Sequence, residues 1–153
     1  MNKNKEYSFI LEDISFPLIF SSYKETKGTK KPSLVVLYRI QAYIISPETI
    51  KILFGSQVNH EKQKESPVSI RVETLGVFKF KEKIFNNKNR TVDSIKSLPN
   101  MLAILFPFIR EKIHSSLSNN KIIFHLPPLN TFKLVENMKD KIIVIDERQN
   151  QSK

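Results

Sequence analysis

Cysteine is absent from the 153 residues, and so is tryptophan. Without cysteine there is no disulfide, no thiol nucleophile and no thiolate metal site. Glycine occurs only as Gly28, Gly55 and Gly76, too widely spaced for a phosphate-cradling loop or a dinucleotide fingerprint, so nucleotide hydrolysis has no support. The histidines, His60, His114 and His125, fall in three different segments, and no two share the i, i+4 spacing of a helical metal site. No enzyme constellation remains, and neither a metal nor a cofactor is expected. The longest apolar run, Met101–Ile109, contains Pro107 and reaches about half of the roughly 20 residues a membrane span needs. Glu12 and Asp13 interrupt the apolar stretch after the lysine-bearing start, so no secretory leader is expected and the cytoplasm is the expected location.

Positive charge, by contrast, is plentiful. Lys and Arg number 25 against 15 Asp and Glu, a formal charge of +10. Hydrophobic residues at 40% and charged residues at 26% match ordinary globular usage, so the charge belongs on a folded surface and not on a disordered tail. Twenty of the cations are lysine, a hydrated point charge suited to diffuse attraction and not to the bidentate reading of bases. At this length one domain is expected, spanning residues 1–153, with 1–6 and 146–153 as loose ends.

Period-two alternation dominates the first half. Ser8 to Phe16 reads as a strand with Ile10, Ile14 and Phe16 on one face and Phe9 and Leu11 on the other, ended by Pro17. Leu18 to Pro32 then reads as a fifteen-residue connection that carries Phe20 and Tyr23, and a loop of that length in a compact domain is usually functional or disordered. Leu34, Val36, Tyr38, Ile40, Ala42 and Ile44 define a second strand, and Ile50, Ile52, Phe54 and Val58 a third. In the fourth, Val68, Ile70, Val72, Phe78 and Phe80 oppose Ser69, Arg71, Glu73, Lys79 and Lys81. Gly76 sits on its apolar face, where a missing side chain either admits another group or leaves a notch beside Phe78 for a ligand.

After Arg90 the period approaches four. Leu98, Met101, Leu102, Leu105, Ile109 and Ile113 form a helical stripe, with Phe106 and Leu117 on its shoulder and Pro107 kinking the axis. So broad an apolar surface reads either as a buried core helix or as one whose second face joins another copy. Phe124 to Asn130 is held extended by Pro127 and Pro128, and Lys141 to Ile145 suits a short extra strand. The expected fold class is α+β: a four-stranded antiparallel sheet packed against one long C-terminal helix.

Three islands of this sequence resemble the SecB family of protein-export chaperones. They are Asp13-Ile14-Ser15-Phe16, Gly76-Val77-Phe78, and Ile104-Leu105-Phe106-Pro107-Phe108 followed by Arg110-Glu111; Leu126, Pro128 and Asn130 then match the family's Leu-x-Pro-x-Asn return. The resemblance implies an ATP-independent holdase that binds unfolded or aggregation-prone polypeptides in apolar grooves and assembles as a homotetramer, a dimer of dimers. It nominates Phe20, Tyr23, Phe78, Leu126 and Leu129 for client binding, each of which is equally readable as core. Leu105, Phe106, Ile109 and Ile113 are the corresponding candidates for the oligomer interface.

Of the family's acidic positions that dock the SecA motor, the resemblance retains only Asp13. Pro17 and Arg71 stand where two others belong, and charge reversal at an interface opposes docking. Relatives of this family that serve one antitoxin in a toxin–antitoxin system, or act as orphan holdases, fit that departure better than general export does. The alternative from another class is a basic nucleic-acid-binding protein using Lys24 to Lys31 and Lys79 to Arg90. It is disfavoured because aromatic side chains interleave only weakly with the cations and no recognised motif is present.

Overall fold

The computed structural model describes residues 8–23, 34–60, 68–86, 91–119 and 124–151. Five strands, β1 (Phe9–Tyr23), β2 (Leu34–Ser46), β3 (Thr49–His60), β4 (Val68–Phe80) and β5 (Ile143–Asp146), and two helices, α1 (Leu98–Asn119) and α2 (Thr131–Met138), make up the fold. The sheet order is β1-β4-β3-β2-β5. The first four strands pair antiparallel, and β5 adds to β2 in parallel, so the α+β class holds while the sheet is five-stranded and mixed. α1 is followed by a second helix and a strand, so it is not the C-terminal element.

The alternation read from the sequence places Ile40, Ala42, Ile44, Ile50, Ile52, Phe54, Val58, Val68, Ile70, Val72, Phe78 and Phe80 in one buried layer. Against it α1 lays Leu98, Met101, Leu102, Leu105, Phe106, Ile109, Ile113 and Leu117, the apolar stripe of a 3.6-residue period. Two hydroxyls interrupt this interior: Ser56 Oγ and Thr74 Oγ1 are buried and have no hydrogen-bond partner among the described residues. The Gly76 alternative resolves toward packing. A Cβ there would stand 2.7 Å from Leu105 Cδ2 and 2.9 Å from Phe78 Cε2, so the notch is filled from within the chain and offers no ligand site.

β1 departs most from expectation. It runs past Pro17 to Tyr23, pairing with β4 along its whole length, from Phe9 opposite Phe80 to Tyr23 opposite Val68. An edge strand tolerates proline, since one row of its backbone groups has no ladder partner to lose. Register shifts between Leu11 and Asp13 and between Ser15 and Leu18 then re-aim the side chains. The first shift brings Phe9 and Leu11 onto the helix-facing side with Ile14, opposite Phe80, Phe78 and Gly76, where alternation alone had separated them.

The far end of the chain is fastened over the residues described there. After β5, Glu147–Gln151 forms a short 3₁₀ turn. Arg148 donates to Asp146 at 2.8 Å from Nε and 2.7 Å from Nη2, and to the Phe85 carbonyl at 2.6 Å from Nη1. Its guanidinium thereby ties β5 to the segment that leaves β4, within the stretch from residue 146 expected to be a loose end. The other expected loose end, 1–6, lies outside the described residues.

Candidate functional site

The five nominated client-binding residues do not converge. Phe78 is fully buried, its ring 5.6 Å from that of Phe9 in an edge-on arrangement, and so cannot line a groove. Phe20 and Tyr23 lie in β1 and not in a loop. Residues paired across an antiparallel ladder share a face, and Phe20 stands opposite Arg71 while Tyr23 stands opposite Val68. Val68 belongs to the helix-facing layer and Arg71 to the opposite side, so Phe20 and Tyr23 point to different faces of the sheet. Leu126 is buried and Leu129 half-buried, both against the core.

The structure instead gathers two apolar features on the flanks of α1. On one flank, Ile19 joins Tyr23 on the helix side of β1, opposite Val72; both remain about half exposed. Phe16 precedes them along the strand, and Lys112 Nζ of α1 lies 5.1 Å from the centre of its ring, a cation–π contact that sets the helix beside this strip.

On the other flank a cleft of about 390 Å³ opens between α1 and the return segment. Phe106, Pro107 and Leu126 give it an apolar lining, and Arg110, Glu111, His114 and His125 provide its polar groups. Positions 106, 110 and 114 follow each other at four-residue intervals, and a 3.6-residue repeat puts Lys112 on the opposite flank. His114 and His125 stack across the cleft with ring centres 5.7 Å apart and planes 17° apart. The sequence reading had separated these two histidines; it is the Pro127–Pro128 return that brings them together. Among the described residues no group of His, Asp and Glu could hold a metal ion.

The second helix was not read from the sequence. Its signal is present: Asn130 caps it, accepting the Lys133 N–H at 3.0 Å, and Leu134, Val135 and Met138 supply a short apolar face. α2 packs on α1, so Leu129 leads into a helix and not into a free groove wall.

The residues expected at an oligomer interface lie on the inner side of α1. Leu105, Phe106, Ile109 and Ile113 are buried against the chain's own sheet, because they are the stripe that faces it. The large apolar residues that α1 exposes are Ile104 and Phe108. Asp13 is exposed on β1 and accepts the Ile14 N–H at 2.9 Å. Of the proposed basic patches, Lys24 to Lys31 lies outside the described residues, as do Lys88 and Arg90 of the second; Lys79, Lys81 and Lys83 are exposed around the end of β4.

No family model and no curated protein sequence matches the chain. Among solved structures, the chain is similar to the SecB-like chaperone of Mycobacterium tuberculosis in complex with a ChAD peptide from the HigA1 antitoxin. The TM-score is 0.62 at 12% identity, over 79% of this chain and 90% of that one. A protein of unknown function from Streptococcus agalactiae matches with a TM-score of 0.41 at 10% identity, over 80% of this chain and 98% of that one. The first comparison gives the chain a SecB-like fold.

Proposed function

We propose that this chain is a chaperone that holds unfolded or aggregation-prone polypeptide without ATP, serving one client, such as an antitoxin, in preference to general export. The observation that carries the reading is a SecB-like fold with an exposed apolar strip at Ile19 and Tyr23 on one flank of its long helix and, on the other flank, a cleft of about 390 Å³ walled by Phe106, Pro107 and Leu126. The SecB-like chaperone of the same fold was solved with a peptide from an antitoxin, which supports a polypeptide as the ligand class. Each large apolar client side chain that is buried contributes roughly 1.5 to 3 kcal/mol, so about three to five of them offset the cost of a micromolar complex, near 8 kcal/mol. Such binding is tolerant of sequence, as a holdase requires.

In this proposal the assembly is a homotetramer in the cytoplasm. Among the described residues, the outer edge of β1 and the Ile104–Phe108 side of α1 are available for contacts between copies. Catalysis has no part in the role, and neither does delivery to SecA: Arg71 is exposed where an acidic docking residue would be required.

The test is light scattering from a chemically denatured client diluted into buffer without nucleotide. Suppression at near-stoichiometric tetramer supports the proposal, and unchanged scattering defeats it. Size exclusion with light scattering reads the oligomeric state in the same preparation.

A further inference from the structure

We infer that the sheet face opposite α1 is a docking surface for an extended polypeptide segment carrying a carboxylate between apolar side chains. Among the described elements both helices lie on the other side, α1 on the inner layer and α2 on α1. The outward positions of adjacent strands are in register and form rows. One row reads Phe20, Arg71, Gln57, Leu37 from β1 to β2, and the next reads Leu18, Glu73, Gly55, Arg39. A solvated face of an antiparallel sheet is ordinarily polar. Here the first row ends in two large apolar side chains, Phe20 at 49% and Leu37 at 56% exposure. With strands about 4.8 Å apart these ends stand about 14 Å from each other, the span of roughly four extended residues.

Between the ends the charge is unbalanced. Arg71 Nη2 donates to Glu73 Oε1 at 3.4 Å, and Arg39 Nη1 lies 3.6 Å from the same oxygen. One carboxylate is thus shared by two guanidiniums. Glu73 is 14% exposed, whereas the two arginine side chains are 52% and 45% exposed. Gly55 makes the arrangement possible: its missing side chain leaves Glu73 Cγ only 3.4 Å from where a Cβ would be, and a dish of about 80 Å³ remains above it. Glu73 neutralises one positive charge and leaves the other, with most of the planar N–H forks, facing solvent. A carboxylate laid over the dish meets both forks, and apolar residues two positions before and after it, on the same face of an extended segment, fall on Phe20 and Leu37. Among the residues of the two rows Phe20 is the only aromatic one, so the surface favours a polypeptide over stacked bases. The strip and the cleft flank the helix on the other side of the sheet, so this partner and a client bind without competing.

The test is fluorescence anisotropy with a labelled pentapeptide that has leucine first and last, aspartate third and serine between them, so that the three side chains share one face when extended, compared with the counterpart that has lysine third. The acidic peptide is expected to bind at least about tenfold more tightly, with affinity falling as salt rises. Arg39→Glu with Arg71→Glu abolishes that preference, and Glu73→Gln strengthens binding. Lys133→Glu with Lys141→Glu, two exposed positions elsewhere, makes the same change in net charge and leaves affinity within about twofold. Should the arginine pair fail to fold by circular dichroism, Phe20→Ser with Leu37→Ser replaces it and is expected to weaken binding to a similar degree. Equal loss in the lysine control, no loss in either site variant, displacement of the peptide by a single-stranded oligonucleotide, or self-association through this face would each overturn the inference.

Discussion

Gly76 of β4 and Leu105 of α1 fit as hole and knob: Leu105 Cδ2 occupies the place where a side chain on Gly76 would begin, 2.7 Å from an ideal Cβ. The backbone at Gly76 is ordinary strand, so the need for glycine is steric. Gly76→Ala is expected to cost about 1 to 3 kcal/mol by overpacking, and Leu105→Ala about 2 to 5 kcal/mol by leaving a cavity. In the double variant the new methyl enters the vacated space. The combined cost is expected to fall short of the sum by more than about 1 kcal/mol in a denaturant double-mutant cycle. Simple additivity would mean that the two residues do not constrain each other.

That relationship also marks how far the sequence could be read. Gly76 on the apolar face of a strand was visible from alternation, and so were the second, third and fourth strands, the first part of β1 and the stripe from Leu98 to Leu117, because Val, Ile and Phe recur at the two periods that a sheet and a helix impose. What would fill the space beside Gly76 was not visible, since Leu105 is twenty-nine positions away and only packing joins them. β1 misled for a local reason. Pro17 ordinarily ends a strand, yet on an edge it costs little, and the register shifts on either side of Ser15 exchange faces in a way no alternation count can follow. The cleft was hidden for a third reason: His114 and His125 are brought together by the return segment, whose path depends on its contact with the core through Leu126.

Thr74 is fully buried on the inner face of β4, opposite Phe54 of β3, and its hydroxyl has no hydrogen-bond partner among the described residues. A hydroxyl taken from water without a new partner costs about 1 to 3 kcal/mol. Thr74→Val keeps the branched shape and removes the polar atom, so it is expected to stabilise the chain by about 1 kcal/mol. The measurement is the denaturation midpoint at an unchanged slope. A loss of stability would show that the hydroxyl is satisfied in solution.

Tyr38 packs its ring against Phe54 at 5.7 Å, and burial pushes its hydroxyl above the usual tyrosine range near 10 because the phenolate is poorly solvated there. Above about pH 10 the unfolded chain therefore releases this proton while the folded chain still holds it. Between those two values the folded state binds more protons, so stability is complete below about pH 10 and falls as pH rises through the folded value. Tyr38→Phe removes this contribution while leaving the lysines that titrate nearby. The drop in melting temperature between about pH 8 and about pH 11 is expected to be smaller in the variant than in the parent chain. Parallel curves for the two proteins would contradict the burial argument.

Ile19 and Tyr23 provide the cleanest separation of binding from folding, because both are large, apolar and about half exposed on the helix side of β1. Replacing each by serine gives up the half of the side chain that the folded chain buries, so stability is expected to fall by about 1 kcal/mol per site, far less than the loss of a core residue. A client side chain that covers one of them gains roughly 1.5 to 3 kcal/mol from full burial, so its loss corresponds to about a 10- to 100-fold weaker complex. Ile19→Ser with Tyr23→Ser is therefore expected to raise the concentration needed to suppress client aggregation while leaving the chain folded at the assay temperature, with only a modest downward shift of the melting curve. Phe78→Ala is the opposite control: its ring is fully buried, so the variant is expected to lose about 3 to 5 kcal/mol of stability with any loss of holding following from unfolding. Unchanged aggregation suppression by the serine pair, in a protein that stays folded, would remove the β1 strip from the client surface and leave the cleft between α1 and the return as the place to look.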